Sequence, residues 1–374
     1  VQNHPKVLTK FFEKTDLSTL SPVWQQLEIE SLIHNGDYRK AQRKLDKLIA
    51  KDPKAELYFQ AAKLANKRNP KNISDTALNY TRAYQIGTSE QKYQAALSLA
   101  LLYASNKEYD QAIQWAQKID SSDNITDRET LLASLASEQK NWPVALQHAK
   151  AALDSQNSSK NPVFTRQEIS ALYAYILTQS LPPEQALAQI NQQLAQIDKQ
   201  KSSPTYAIER SSLIYQRGLL YADKLRQPEK AIADFRTYLT HNPDSAQGQN
   251  ALGYTMLTMP NPKVDEAFEL IRAAYEQEPE EPAINDSLGW AYFLKGDAET
   301  ALPYLQYAFK MQGDAEVSAH LGEVLWKLGK HEDAKAIWNE GLKQEGDIGL
   351  LKETMRRFNI PVPSRKKHPS AKTK

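Results

Sequence analysis

The chain has no cysteine among its 374 residues, which excludes a disulfide framework, a thiolate metal site and a cysteine nucleophile. Glycine is scarce, at 13 residues, while Ala, Leu, Gln, Lys and Glu are plentiful. That balance points to helix nearly throughout. Long apolar runs are missing too. The longest, "AALSLALLYA" at Ala95–Ala104, falls far short of the roughly 20 apolar residues that a membrane-spanning helix needs. Neither sign of charge dominates: 47 Lys+Arg against 45 Asp+Glu leave a net charge of +2, so the total implies no polyanionic partner such as nucleic acid. The first residue is Val and no leader precedes it. The chain reads as a mature or trimmed product from which any targeting segment or lipid anchor has been removed.

Catalytic signatures are equally scarce. The seven histidines, His4, His34, His148, His241, His320, His331 and His368, are scattered, and His320 and His331 stand eleven residues apart across an expected turn. That is not the close spacing of a metal-ligand pair. There is no glycine-rich phosphate loop, nucleophile elbow or zincin helix. Acidic pairs abound, as on any solvated helical surface, and single out no general acid and base. The expectation is a chain that is not an enzyme and takes no cofactor or metal.

What is present is a period. "INDSLGWAYFLKGDAETALPYLQYAF" (Ile284–Phe309) reads as two short amphipathic helices carrying small residues, Gly289, Ala301 and Ala308, among Leu288, Trp290, Tyr292, Leu302 and Leu305. The same order recurs before and after it. The alanine near the start of each second helix marks nine units: Ala41, Ala77, Ala112, Ala145, Ala186, Ala231, Ala267, Ala301 and Ala334. Their steps are 36, 35, 33, 41, 45, 36, 34 and 33 residues. A period near 34 with small-residue anchors resembles the tetratricopeptide repeat over Ser21 to Gly346. Packed helices lie about 8–10 Å apart, and the shortest crossings need residues with little side chain. Gly289 and Ala301 are therefore expected to let the two helices of one unit approach, and Ala308 to admit the next. The resemblance implies an all-α, right-handed superhelical solenoid of about nine helical hairpins.

Turn chemistry agrees. "HNGDYRKA", "SNKEYDQA", "LKGDAETA" and "KLGKHEDA" each put Gly or Asn at a helix end and acidic residues at the next start, the usual stop and start signals. "DSQNSSKNP" (Asp154–Pro162) and "KQKSSP" (Lys199–Pro204) are polar connectors beside the longest steps, where a change of curvature or a hinge is expected. The expected segments are a lead helix within residues 1–20, at Pro5–Glu13, then an irregular array over 21–200 and a well-matched array over 201–346. A capping helix follows over 347–360, and a basic disordered tail over 361–374.

In the tetratricopeptide family the first helices line a concave face that holds an extended peptide or a helix. Carried over by position, that rule makes Tyr215, Leu219, Asn250, Tyr254, Asp286, Trp290, Phe293, Ala319, Glu323 and Trp326 the inward residues. The protein-binding candidates among them are Tyr215, Asn250, Tyr254, Asp286, Trp290, Phe293, Glu323 and Trp326. Rings supply contact area and a side-chain amide can pair with a peptide backbone. Co-chaperone members that clasp a C-terminal carboxylate use Lys and Asn at these places. Here Asn250, Tyr254, Asp286 and Trp290 stand there without a lysine, which argues against that role. Charge is uneven along the chain, with 14 basic against 8 acidic residues over 1–72, and 2 against 10 over 265–300. A solvated helix face accounts for much of this. The other reading is that the acidic stretch meets a basic partner.

The last hundred residues resemble a narrower group. "DSLGWAYF" and "HLGEVLWKLG" are similar to the C-terminal half of tetratricopeptide lipoproteins of Gram-negative bacteria, in particular the outer-membrane adaptor of a carboxyl-terminal processing protease. Those adaptors are usually longer and begin at a lipidated cysteine, neither of which is seen here. The resemblance implies a periplasmic, outer-membrane-associated scaffold whose partners are the processing protease and cell-wall hydrolases. Membrane contact would come only through an N-terminal lipid anchor absent from this chain. Two other readings stand beside it: an assembly scaffold for envelope or pilus machinery, or the repeat part of a larger enzyme.

Overall fold

The computed structural model describes residues 22–119, 123–155, 162–199, 202, 205–344 and 347–362. Among the described residues are nineteen α-helices and no strand. The expected lead helix at Pro5–Glu13, much of both polar connectors and the basic tail beyond residue 362 lie outside them. No described helix is long and apolar enough to cross a membrane. The chain divides into two compact units, residues 1–181 and 182–374, a boundary drawn by packing ahead of the change in repeat quality at residue 200.

The first unit contains α1 (Pro22–His34), α2 (Tyr38–Lys51), α3 (Ala55–Arg68), α4 (Ser74–Ile86), α5 (Ser89–Ser105), α6 (Tyr109–Gln117), α7 (Ile125–Glu138), α8 (Trp142–Ser155) and α9 (Arg166–Ser180). Each helix packs on the next. Two of the odd-numbered helices open with reciprocal capping boxes: Thr88 with Gln91, and Thr165 with Glu168. Such pairs satisfy backbone N–H groups that a helix start otherwise leaves free.

The second unit contains α10 (Pro183–Ile197), α11 (Tyr206–Leu219) running into a π turn (Leu220–Lys224), α12 (Pro228–His241), α13 (Ala246–Leu257), α14 (Val264–Gln277), α15 (Pro282–Leu294), α16 (Ala298–Met311), α17 (Ala315–Lys327), α18 (His331–Gly341) and α19 (Gly349–Arg357). Here α13 also touches α15, α15 touches α17, and α17 touches α19. First helices therefore stack on first helices, as a repeat array requires. The two helices of the expected Ala186 unit, α9 and α10, fall on either side of the division between the units.

All nine marker alanines occupy the fourth residue of their helix and all are buried. The reason is spatial. A Cβ added at Gly289 of α15 would stand 2.7 Å from Leu305 Cγ and 3.1 Å from the Ala301 carbonyl on α16. Small residues on the first helix thus face the bulky residue and the marker alanine of the second. Several of the hairpin turns share one backbone device. Gly36, Lys107, Lys140, Gly296 and Gly329 all take positive φ, between 56° and 91°. This left-handed step reverses the chain between helices, and glycine adopts it without the Cβ clash the two lysines bear.

Candidate functional site

The candidate residues of α13, α15 and α17 follow helical spacing. Asn250 and Tyr254, Asp286 and Trp290, and Glu316 and His320 are i,i+4 pairs, so each pair shares a helix face. Stacking of the first helices then brings these faces together. His320, buried on α17, is the centre. Its Nδ1–H donates to Asp286 of α15, 2.9 Å from Oδ2 and 3.1 Å from Oδ1. Trp290 stacks on the imidazole at 4.2 Å and on Phe293 at 5.1 Å. The Tyr254 ring meets His320 edge-on at 6.0 Å, and the Tyr254 hydroxyl donates to the Glu316 carboxylate. One turn beyond, Glu323 accepts from Arg357 of α19 at 2.6 and 3.2 Å, a bidentate pair.

Asp286–His320 and Glu323–Arg357 each join residues 34 apart. In the first unit the Tyr93 hydroxyl donates to Asp127 at 2.7 Å across the same interval. Polar pairs one repeat apart therefore tie successive first helices in both units.

The electrostatics are acidic. Asp286 and Glu316 face His320, Glu323 pairs with Arg357, and Asp223 has Lys224 and Arg226 beside it. Burial raises the Glu316 carboxyl above its ordinary value, against the pull of His320 and the Tyr254 hydrogen bond. Burial also raises Asp223 in the π turn, against Lys224 and Arg226. Both residues remain exposed to solvent. They are wetted groups whose charged form the surrounding protein still disfavours. Burial drives the Tyr254 hydroxyl well above its ordinary value, with the charges of Glu316, Asp286 and Asp223 adding to the effect. Burial would lower the His320 imidazolium, but Asp286, then Glu316 and Glu323, outweigh it and hold its pKa above the ordinary value.

Of the inward candidates, Tyr254, Asp286, Trp290 and Phe293 come together around His320, and Glu323 lies next to them in the same row. Asn250 stands one turn from Tyr254, and its side-chain carbonyl is buried without a partner. Tyr215 and Trp326 are wedges between helices. Tyr215 packs at a tilt against Tyr238 at 4.9 Å and Phe235 at 5.8 Å, both on α12. Trp326 lies 4.3 Å from His331, 5.7 Å from Trp338 and 5.4 Å from Phe358. Sequence reasoning did not assign Glu316, Arg357, Asp223 or the His320 hub. The signal for two of them was available, since His320 and Arg357 follow Asp286 and Glu323 by one repeat. Among the described residues no three His, Asp or Glu side chains are grouped to hold a metal ion.

A tetratricopeptide-repeat family model matches residues 74–124 and 287–347. The TPR repeat-containing protein PA4667 of Pseudomonas aeruginosa is 39% identical over 112 residues, which are 30% of this chain and 19% of that protein. This chain therefore aligns with only a fifth of that relative's length. Solved structures of similar fold include a tetratricopeptide repeat protein from Parabacteroides merdae, 18% identical, with TM-score 0.45 over 71% of this chain and 98% of that one. Another is a monomeric mutant of IFIT1 solved with m7Gppp-AAAA, 13% identical, with TM-score 0.50 over 94% of this chain and 84% of that one.

Proposed function

We propose that this chain, which carries tetratricopeptide repeats, is a protein-binding scaffold whose second unit grips a partner segment bearing a basic side chain and an apolar one. The observation that carries the reading is the pairing of exposed yet crowded carboxylates, Glu316 and Asp223, with the half-buried Trp290–Phe293 stack. A lysine or arginine seated at the carboxylates relieves their crowding. An apolar side chain covers the rings, and aromatic anchors of this kind dominate binding energy at interfaces.

The more specific reading is a periplasmic adaptor, anchored at the outer membrane, that holds a carboxyl-terminal processing protease and brings it cell-wall hydrolases. The resemblance of "DSLGWAYF" and "HLGEVLWKLG" supports it. The work of such an adaptor is effective concentration: two partners held on one frame meet far more often than in free solution.

The test is co-purification from a Gram-negative envelope extract, followed by titration of the captured partner against variants. Trp290→Ala is expected to weaken binding by about 1–2 kcal/mol with the helical circular dichroism unchanged, and Glu316→Gln to weaken it with a smaller salt dependence. Capture of a serine processing protease supports the adaptor, and capture of secretin or pilus components supports an assembly scaffold instead. Unaltered affinity in both variants refutes the assignment of this face.

A further inference from the structure

We propose that the first unit carries a separate site for a small phosphate-bearing ligand, in the cleft between α2 and α3 lined by Tyr38, Arg39, Gln42, Arg43 and Arg68. The cleft measures about 460 Å³, within the range of small-ligand pockets, about 300–1,000 Å³. No carboxylate lines it.

Helix α2, "YRKAQRKLDKLIAK", holds six basic residues and a single acidic one. Lys44 pairs with the buried Glu28 of α1 and Lys40 with Asp37, and Arg68 holds Asp75 at 3.0 Å. Arg39 and Arg43 have no ion pair or hydrogen-bond partner among the described residues. Elsewhere arginine in this chain is typically paired: Arg128 with Glu129, Arg210 with Asp198, Arg217 with Asp234, Arg236 with Glu266, Arg272 with Glu269 and Arg357 with Glu323. Arg82, which lies 5.8 Å over the Tyr58 ring, and Arg356 also lack an ion pair among the described residues, but only Arg39 and Arg43 stand four residues apart on one helix face and open on one cleft.

Like charges at that spacing repel, and an anion between them turns the repulsion into two charge-assisted contacts. Guanidinium forks match phosphate oxygens in geometry as well as charge. Gln42, whose amide nitrogen donates one N–H to Asp46 at 2.9 Å, has its second N–H to offer, and Tyr38 gives an apolar wall with a hydroxyl. The volume exceeds that of a bare phosphate and suits a phosphorylated headgroup or sugar. This site lies in the other unit from the protein-binding face and does not depend on it.

The test uses the full chain. Inorganic pyrophosphate is titrated by calorimetry, and vesicles of phosphatidylcholine with and without phosphatidic acid are used in sedimentation. Binding of pyrophosphate indicates a soluble phosphate ligand, and binding to the acidic vesicles alone indicates a lipid headgroup. In either arm the double variant Arg39→Gln/Arg43→Gln is expected to bind about tenfold more weakly or worse, the scale of lost charge-assisted contacts. Arg39→Lys/Arg43→Lys keeps the charge and is expected to recover only part. Thermal unfolding confirms that both variants remain folded. Three results overturn the proposal: no binding of either probe by the natural chain, equal binding by the Gln variant, or an equal loss on replacing the distant exposed Lys327 and Lys343 by Gln.

Discussion

Gly322 is the most sensitive test of the packing that makes this array. Helix propensity alone says that Gly322→Ala, in the interior of α17, should stabilise the protein by about 1 kcal/mol. The geometry says the opposite. A methyl at Gly322 would stand 2.5 Å from Cδ1 and Cε2 of Trp338 and closer still to its Nε1. Carbon contacts settle at about 3.5–4.0 Å, so the indole must retreat by about 1 Å. It has no room to do so. Trp338 is fully buried, stacked 5.7 Å from Trp326 and 5.5 Å from Phe358, with Nε1–H 3.4 Å from the Ala319 carbonyl. Overpacking of this kind costs about 1–3 kcal/mol, and a rigid aromatic neighbour places it toward the upper end. Net of the propensity gain, the loss is about 2 kcal/mol, a fall in Tm of about 4–8 °C for a unit of this size. Urea unfolding followed by circular dichroism measures it, and adding Trp338→Phe should recover part of the loss as a coupling energy. An unchanged or raised midpoint in Gly322→Ala would refute the account of small residues as spacers.

Other outcomes follow from the same geometry. Ala301→Leu should lower stability by about 1–3 kcal/mol, because Ala301 is fully buried with its carbonyl close under Gly289; an unchanged melting midpoint counts against that placement. Asn250→Leu removes a buried carbonyl that has no donor, so stability should hold or rise by about 1 kcal/mol; a clear drop would reveal a partner for Asn250. His320 has a folded-state pKa above its ordinary value. It therefore contributes stability that is present below about pH 6.5 and lost as pH rises through the folded pKa. Urea midpoints measured from pH 5 to 9 (about that range) should fall over that interval, and His320→Gln should flatten the fall; parallel profiles for both proteins would contradict the charged Asp286–His320 pair.

The sequence by itself determined the repeat. Each hairpin buries its own face against its neighbours, so the requirement for small residues returns at every crossing and is written into the spacing of Ala41 through Ala334. The hairpin turns were also legible, since Gly36, Gly296 and Gly329 stand where the backbone must enter the left-handed region. The expected inward positions were carried over from the tetratricopeptide resemblance, and Tyr254, Asp286, Trp290 and Phe293 were named on that basis. What each inward side chain does was decided only in three dimensions. Tyr254 and Glu316 lie 62 residues apart and touch because α13, α15 and α17 stack closely. Asp286 is held by a histidine one repeat on, while Tyr215 and Trp326 turn into the gaps between helices. Local periodicity sets which way a residue faces, because each turn of helix obeys it independently. Partnership depends on the distance between elements remote in the chain, and that distance exists only once the hairpins are stacked.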